Sequence, residues 1–238
     1  HGGYRIQDIF KKTLLDENEI YKFQKLTDIN DINDLYRLVY RIDKLMNYYN
    51  LDYWADFGTA LGITRHKGIM LWDDDVDISI PSETEKFLKK LKKKNFSKFG
   101  LEIHHRLDLI KIYLEGKQYP FVDVWRSFES EDKIHIKVIG KNFFHNKNEL
   151  YPLKYYDIGP IKIKGANNYD DFLKLRYGND WNYNIYFKFF AHVKDKDIGI
   201  KLNEVNKYFK LTPKLRNLHL KPSDDLLNIL ENENFKKK

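Results

Sequence analysis

Residues 56–81 read DFGTALGITRHKGIMLWDDDVDISIP, and the fold turns on how this stretch is read. Trp72-Asp73-Asp74-Asp75-Val76-Asp77 sets four carboxylates within five positions, with apolar residues on both sides. In a strand, residues two apart share a face at about 7 Å. Asp73, Asp75 and Asp77 therefore point one way if the strand starts early, while Asp74, Val76 and Ile78 point the other. Val76 and Ile78 are expected to enter the core, and Asp74 to face away. Two like charges about 4 Å apart repel by roughly 4 kcal/mol at an effective dielectric of 20. A half-buried strand end tolerates this only with compensation, by protonation, by Lys or Arg, or by a divalent cation. Mg²⁺ suits best, because it takes carboxylate oxygens, keeps waters and shares its remaining positions with phosphates. An isolated D-x-D is as readily an acidic turn at a strand mouth.

The neighbourhood weighs against the bland reading. Gly58-Thr59 precedes Asp75 by 17 residues. It falls at the expected junction of a strand over 51–57 and a short helix over 59–66, where backbone N–H groups can cradle phosphate oxygens. Gly58 lets a phosphate approach the backbone, and Thr59 offers a hydroxyl. Arg65 is the expected phosphate clamp, since its planar fork suits two oxygens. Lys67 and Lys111 are further phosphate-binding candidates, each as readily plain surface charge. Asp123, in Phe121-Val122-Asp123-Val124-Trp125, lies on a predicted strand with apolar flanks, and a buried Asp needs a partner. A metal held by Asp75 and Asp77 would supply one, with Asp73 as a further ligand or support. Three acids on neighbouring strands can hold one or two Mg²⁺, with Mn²⁺ as the alternative.

The rest of the chain frames these motifs. It has 238 residues, 42% of them hydrophobic, with 16 Phe and 17 Tyr, enough to bury a sizeable core. The net charge of +7 admits a nucleic acid, a membrane surface or a phosphorylated small molecule as partner, or simply a Lys-, Asn- and Ile-rich composition. There is no Cys, which excludes disulfides and Cys-ligated zinc and fits a reducing compartment. No apolar run is long enough to span a membrane, so a cytoplasmic location is the expectation. The chain opens on His1-Gly2-Gly3, which leaves a trimmed leader or anchor open.

Apolar residues at 32, 35, 39, 42, 46 and 49 predict an amphipathic helix over 31–50, capped by Asp31. Gly68 is expected to close the short helix after Gly58. A strand over 76–80 ends at Pro81, and Ser82 with Glu85 reads as a capping box for a helix running to Lys94. Strands are expected within 101–114 and over 120–126 and 133–139, a loop over 150–165, and a helix over 170–177 ended by Gly178. Two more helices are expected near 201–209 and 223–233. This order gives an α+β fold. His66 reads as structural and Trp72 as a packing anchor. Trp125 and Trp181 read as core or pocket walls. His104 and His105 face opposite sides of a strand and make poor joint ligands.

Several separated motifs then occur in an order that resembles the LicD family, which includes fukutin and fukutin-related protein. They are Gly58-Thr59-Ala60-Leu61-Gly62, Arg65-His66-Lys67-Gly68, Trp72 through Ile78, Phe121-Val122-Asp123-Val124, and Leu173 through Trp181. The resemblance spans roughly residues 35–181. The family usually carries Pro before the Trp, where this chain has Leu71, and the zinc-binding cysteines of some animal relatives have no counterpart here. The resemblance implies a nucleotidyltransferase-like fold, a short mixed β-sheet with helices packed mainly on one side. It also implies a phosphotransferase that moves phosphocholine or a polyol phosphate, such as ribitol phosphate, from a CDP-activated donor to a sugar hydroxyl of a glycan. The expected organisation is an N-terminal extension over 1–30, a catalytic domain over 31–190 and a helical C-terminal extension over 191–238.

Spacing alone stops earlier, at Mg²⁺-dependent phosphoryl or nucleotidyl transfer. Two enzymatic rivals stay open: a D-x-D glycosyltransferase with a nucleotide-sugar donor, and a nucleotidyltransferase that adds NMP to a protein or RNA. A basic nucleic-acid-binding module explains the charge but not the acidic strand, which would repel a phosphate backbone. No nucleic acid partner is expected.

Overall fold

The structure, a computed structural model, describes residues 27–138, 141–187, 198–201 and 226–232. Its organising helix is α1 (Ile29–Tyr48), whose buried Ile32, Leu35, Val39, Ile42 and Met46 recur at three- and four-residue spacing. The helix starts earlier than its apolar pattern. Asp28, not Asp31, is the cap, and its carboxylate accepts from the Asn30 N–H at 2.8 Å. Asp31 sits in the first turn instead, where negative charge suits the helix dipole.

A mixed sheet runs in the order β1 (Trp54–Ala55), β2 (Asp75–Ile80), β5 (Phe121–Ser130), β4 (Leu109–Leu114), β3 (Leu101–His105). β2 pairs parallel with β5, and the other neighbours are antiparallel. β6 (Lys133–Val138) and β7 (Lys141–Asn146) extend the far end of β5, giving seven strands. Parallel pairing needs a long crossover. Here it contains α3 (Ser82–Lys90), α4 (Lys93–Ser97) and the β3–β4 hairpin. Val76 and Ile78 of β2 and Val122 and Val124 of β5 are buried in one core with the apolar face of α1. The α+β reading holds.

Local readings failed where side chains found tertiary partners. The strand over 51–57 shrinks to two residues, because Asp56 leaves it to cap α2 (Phe57–Leu61). That helix runs on as a π-helical turn over Gly62–His66, and Lys67 rather than Gly68 takes the left-handed conformation that ends it. The expected capping box does not form. The Ser82 hydroxyl donates to the Ser127 carbonyl at 2.9 Å, and Glu85 pairs with Arg126 and Lys89, each at 2.7 Å. The helix read to Lys94 breaks after Lys90 and restarts as α4. α5 (Lys147–Leu150) is a single short turn.

The loop expected over 150–165 is a hairpin, β8 (Lys154–Ile158) with β9 (Ile161–Gly165). β8 shows mostly exposed residues, so its sequence lacks a clean alternation. Its turn holds Gly159 at φ 54, where a Cβ would sit 2.6 Å from the Tyr36 hydroxyl. α6 (Tyr169–Tyr177) ends at Gly178 as read. β10 (Asn184–Phe187) pairs with β11 (Ile198–Lys201), and α7 (Leu226–Glu231) buries Leu226 and Leu230 in the core. The helix expected near 201–209 lies outside the described residues.

Leu35 is fully buried on α1. Leu35→Ala is expected to cost about 2–5 kcal/mol in urea unfolding. A loss near zero would show that α1 does not close this core.

Candidate functional site

The parallel register of β2 and β5 sets Asp77 directly beside Asp123, with Asp75 opposite Phe121. One carboxylate oxygen each from Asp75, Asp77 and Asp123 lies within 4.8 Å of the others. The antiparallel register of β4 brings Lys111 beside Asp123 from the other side. Its ammonium bonds Asp123 Oδ1 at 2.7 Å and sits 3.3 Å above the Phe121 ring. Across the sheet the row therefore runs from two adjacent carboxylates on β2 and β5 to a cation on β4.

Asp77 is held at several points. The Trp125 indole donates to Oδ1 at 2.8 Å, and the Gly58 N–H donates to Oδ2 at 3.3 Å. The Asp77 N–H donates to the Thr59 hydroxyl oxygen at 2.8 Å. Gly58 and Thr59 thus grip the acidic strand itself. Asp73 lies just before β2, and its Oδ2 would be 2.8 Å from a Cβ on Gly58, so any side chain there would have to displace that carboxylate. Asp74 departs from expectation. It is exposed directly before β2, not on the back of the strand, and its carboxylate groups with those of Asp73 and Asp75.

Arg65 is half-buried and donates to the Trp181 carbonyl at 3.1 Å and to Met70 Sδ at 3.5 Å. Burial lowers its pKa to about 10, which keeps it charged at neutral pH, and it faces the field of Asp73. Lys67 is not brought to the acids. It is exposed, its carbonyl accepts from Gly159 at 2.6 Å, and its charge acts on Asp157. His66 packs edge-on against Trp72 with ring centroids 5.3 Å apart.

Burial pushes the carboxyls of Asp73, Asp75, Asp77 and Asp123 above the usual range. Mutual repulsion adds to this at Asp75, from Asp77 and Asp123, while the Trp125 bond works against it at Asp77 and Lys111 at Asp123. An oxygen-only cluster strained in this way is suited to a hard divalent cation.

The family model described as LicD/FKTN/FKRP, nucleotidyltransferase domain, matches residues 50–168, a span that contains Gly58, Asp75, Asp77 and Asp123. The chain belongs to the LicD family. The chain is 37% identical over 134 residues to protein RT0683 of Rickettsia typhi, covering 55% of this chain and 41% of that protein. It is 25% identical over 251 residues to protein RP689 of Rickettsia prowazekii, covering 98% and 84%. The chain thus spans about two fifths of the first relative's length and most of the second's. Among solved structures, it is similar to the lincosamide antibiotic adenylyltransferase LnuA bound to lincomycin, at 17% identity and a TM-score of 0.37, over 60% of this chain and 82% of that one. It is also similar to ANT(2")-Ia in complex with adenylyl-2"-tobramycin, at 12% identity and a TM-score of 0.41, over 82% and 94%. The family is one of transferases. Among the described residues, no helix is long and apolar enough to cross a membrane.

Sequence reading missed a second, buried layer behind the LicD site. Asp56 is fully buried and accepts from the Phe57 N–H at 2.8 Å and the Ser79 hydroxyl at 2.6 Å. It pairs with the buried Arg176 of α6 at 3.3 Å. Arg176 also donates to His145 Nε2 at 2.8 Å and lies 3.9 Å from the Phe57 ring centroid. Burial and the Arg176 charge lower the His145 pKa to about 2, so this histidine is neutral. The network holds Phe57 at φ 42, a left-handed conformation that costs about 1–3 kcal/mol for a bulky residue. Asp56 is legible as a neighbour of Gly58-Thr59, but Arg176 is joined to it only in three dimensions.

A carboxyl whose pKa rises on folding contributes stability below its unfolded pKa and loses it as pH climbs through the folded value. In EDTA, the urea midpoint is therefore expected to fall as pH rises from 5 to 8.5, and Asp75→Asn to flatten that slope. A midpoint that rises across this window would contradict the electrostatic account.

Proposed function

We propose that this LicD domain is a Mg²⁺-dependent phosphotransferase, with Mn²⁺ as an alternative metal. It moves phosphocholine or a polyol phosphate such as ribitol phosphate from a CDP-activated donor to a sugar hydroxyl of a glycan, and CMP leaves. The observation that carries this is the meeting of Asp75, Asp77 and Asp123 within 4.8 Å across paired strands. The donor set consists of hard oxygens, half-buried and mutually repelling, which fits Mg²⁺. Asp75, Asp77 and Asp123 would hold it, with Asp73 beside them. When bound, the ion would neutralise charge on the donor pyrophosphate oxygens.

The chain's own residues supply the rest. Asp123 takes the proton from the acceptor hydroxyl, and Lys111, at 2.7 Å from Asp123, steadies it as the anion. The hydroxyl oxygen bonds to the phosphorus that bears choline or polyol. The bond from that phosphorus to the bridging oxygen breaks, and CMP carries that oxygen away. Arg65 adds positive charge on the Asp73 side, and Lys111 on the far side of Asp123. Gly58 and Thr59 fix the Asp77 end of the cluster, and a donor phosphate would approach beside them.

Asp75→Asn and Asp77→Asn are each expected to lower turnover by at least about a hundredfold, while Asp74→Asn, altering an exposed carboxylate, is expected to be mild. The assay is CMP release from CDP-choline, CDP-ribitol and CDP-glycerol with Mg²⁺, with mass analysis of the acceptor. Full activity in Asp75→Asn or Asp77→Asn would sink the metal assignment. CMP retained on the acceptor would replace phosphotransfer with nucleotidyl transfer, and turnover of UDP-sugars alone would favour a glycosyltransferase.

A further inference from the structure

We infer that Trp125 is a positioning residue for the metal, its indole N–H fixing the Asp77 carboxylate so that its free lone pairs face Asp75 and Asp123. The inference rests on the metal reading proposed above.

Asp75 and Asp77 are two residues apart on the same face of β2, yet they are held very differently. Asp77 accepts the indole N–H on Oδ1 at 2.8 Å and the Gly58 N–H on Oδ2 at 3.3 Å. Each of its oxygens is therefore tied by one donor and keeps lone-pair capacity for a cation. The indole is a donor only, so it favours the carboxylate anion that a divalent cation requires. A hydroxyl in the same place could turn and accept instead.

The register explains why the indole reaches. Trp125 stands opposite Ser79 across the β2–β5 pair and two positions beyond Asp123 on the same face of β5. It therefore reaches diagonally to Asp77. Trp125 is buried and cannot swing away, because it leans on Phe57 with ring centroids 5.2 Å apart. Phe57 is in turn covered by Arg176 at 3.9 Å. A continuous chain of contacts through Arg176, Phe57 and Trp125 thus ends on the Asp77 carboxylate. Losing a hydrogen bond that orients a metal ligand typically weakens affinity by about 10–100-fold.

The test measures Mn²⁺ binding to the protein alone, by electron paramagnetic resonance and calorimetry, without donor or acceptor. Trp125→Phe keeps an aromatic ring on Phe57 and removes the N–H. Benzothienylalanine at position 125 keeps the full bicyclic shape and removes only the N–H, so a packing defect in the phenylalanine variant does not obscure the result. Both changes are expected to weaken Mn²⁺ binding about 10–100-fold, with little change in the melting temperature in EDTA for the isostere. A role confined to packing would leave Mn²⁺ affinity untouched in the isostere. Wild-type protein that binds Mn²⁺ beside an isostere that binds it equally well overturns this inference alone. Wild-type protein that binds no Mn²⁺ overturns the metal reading and this inference with it.

Discussion

The parallel pairing of β2 with β5 is the constraint on which the rest of the molecule depends. Its register puts Asp77 beside Asp123 and leaves Asp75 one step toward the strand mouth. Slipping that register by one residue would turn Asp123 into the core and Val122 or Val124 out of it. The buried valines and isoleucines that fix the pairing are therefore also what bring the acids together. Hydrophobic packing here enforces an electrostatic arrangement that three free carboxylates would not adopt.

The opposing costs are spread through neighbouring elements. β4 supplies Lys111, the segment just before β2 places Asp73 against Gly58, and β5 supplies Trp125. Behind them the Asp56–Arg176 pair holds a left-handed Phe57, the residue that sends the chain into the Gly58-Thr59 turn. A strained residue persists only where its surroundings over-determine it. Here those surroundings are an N-cap, a buried ion pair and contacts of the Phe57 ring with Arg176, Trp125 and Phe143.

Much of this was legible in the sequence, and the failures have a common cause. The α+β class followed from the alternation of periodic segments, and the Asp75, Asp77, Asp123 grouping from apolar flanks around charged residues. The positions that misled were those whose side chains bond to distant partners. Asp56 reads as the last residue of a strand but caps a helix. Ser82 and Glu85 read as a local box but bond across to β5. The β8–β9 hairpin lacks alternation because one of its strands is largely solvated. Lys67 and Arg65 are two residues apart and equally basic on paper. Only the π-helical turn and the left-handed residue that ends it separate them, sending Arg65 toward Asp73 and Lys67 toward Asp157.

The Asp56–Arg176 pair ties together residues 120 positions apart in the chain. Arg176 lies eight residues beyond the segment that the family model matches. Breaking a buried ion pair by removing one partner costs about 3–5 kcal/mol, a large share of an ordinary domain's stability. A piece of this chain that keeps the pair must therefore include Arg176 near the end of α6. A fragment cut at residue 168 would retain every acid of the site and still leave Asp56 as a buried charge with its cation gone.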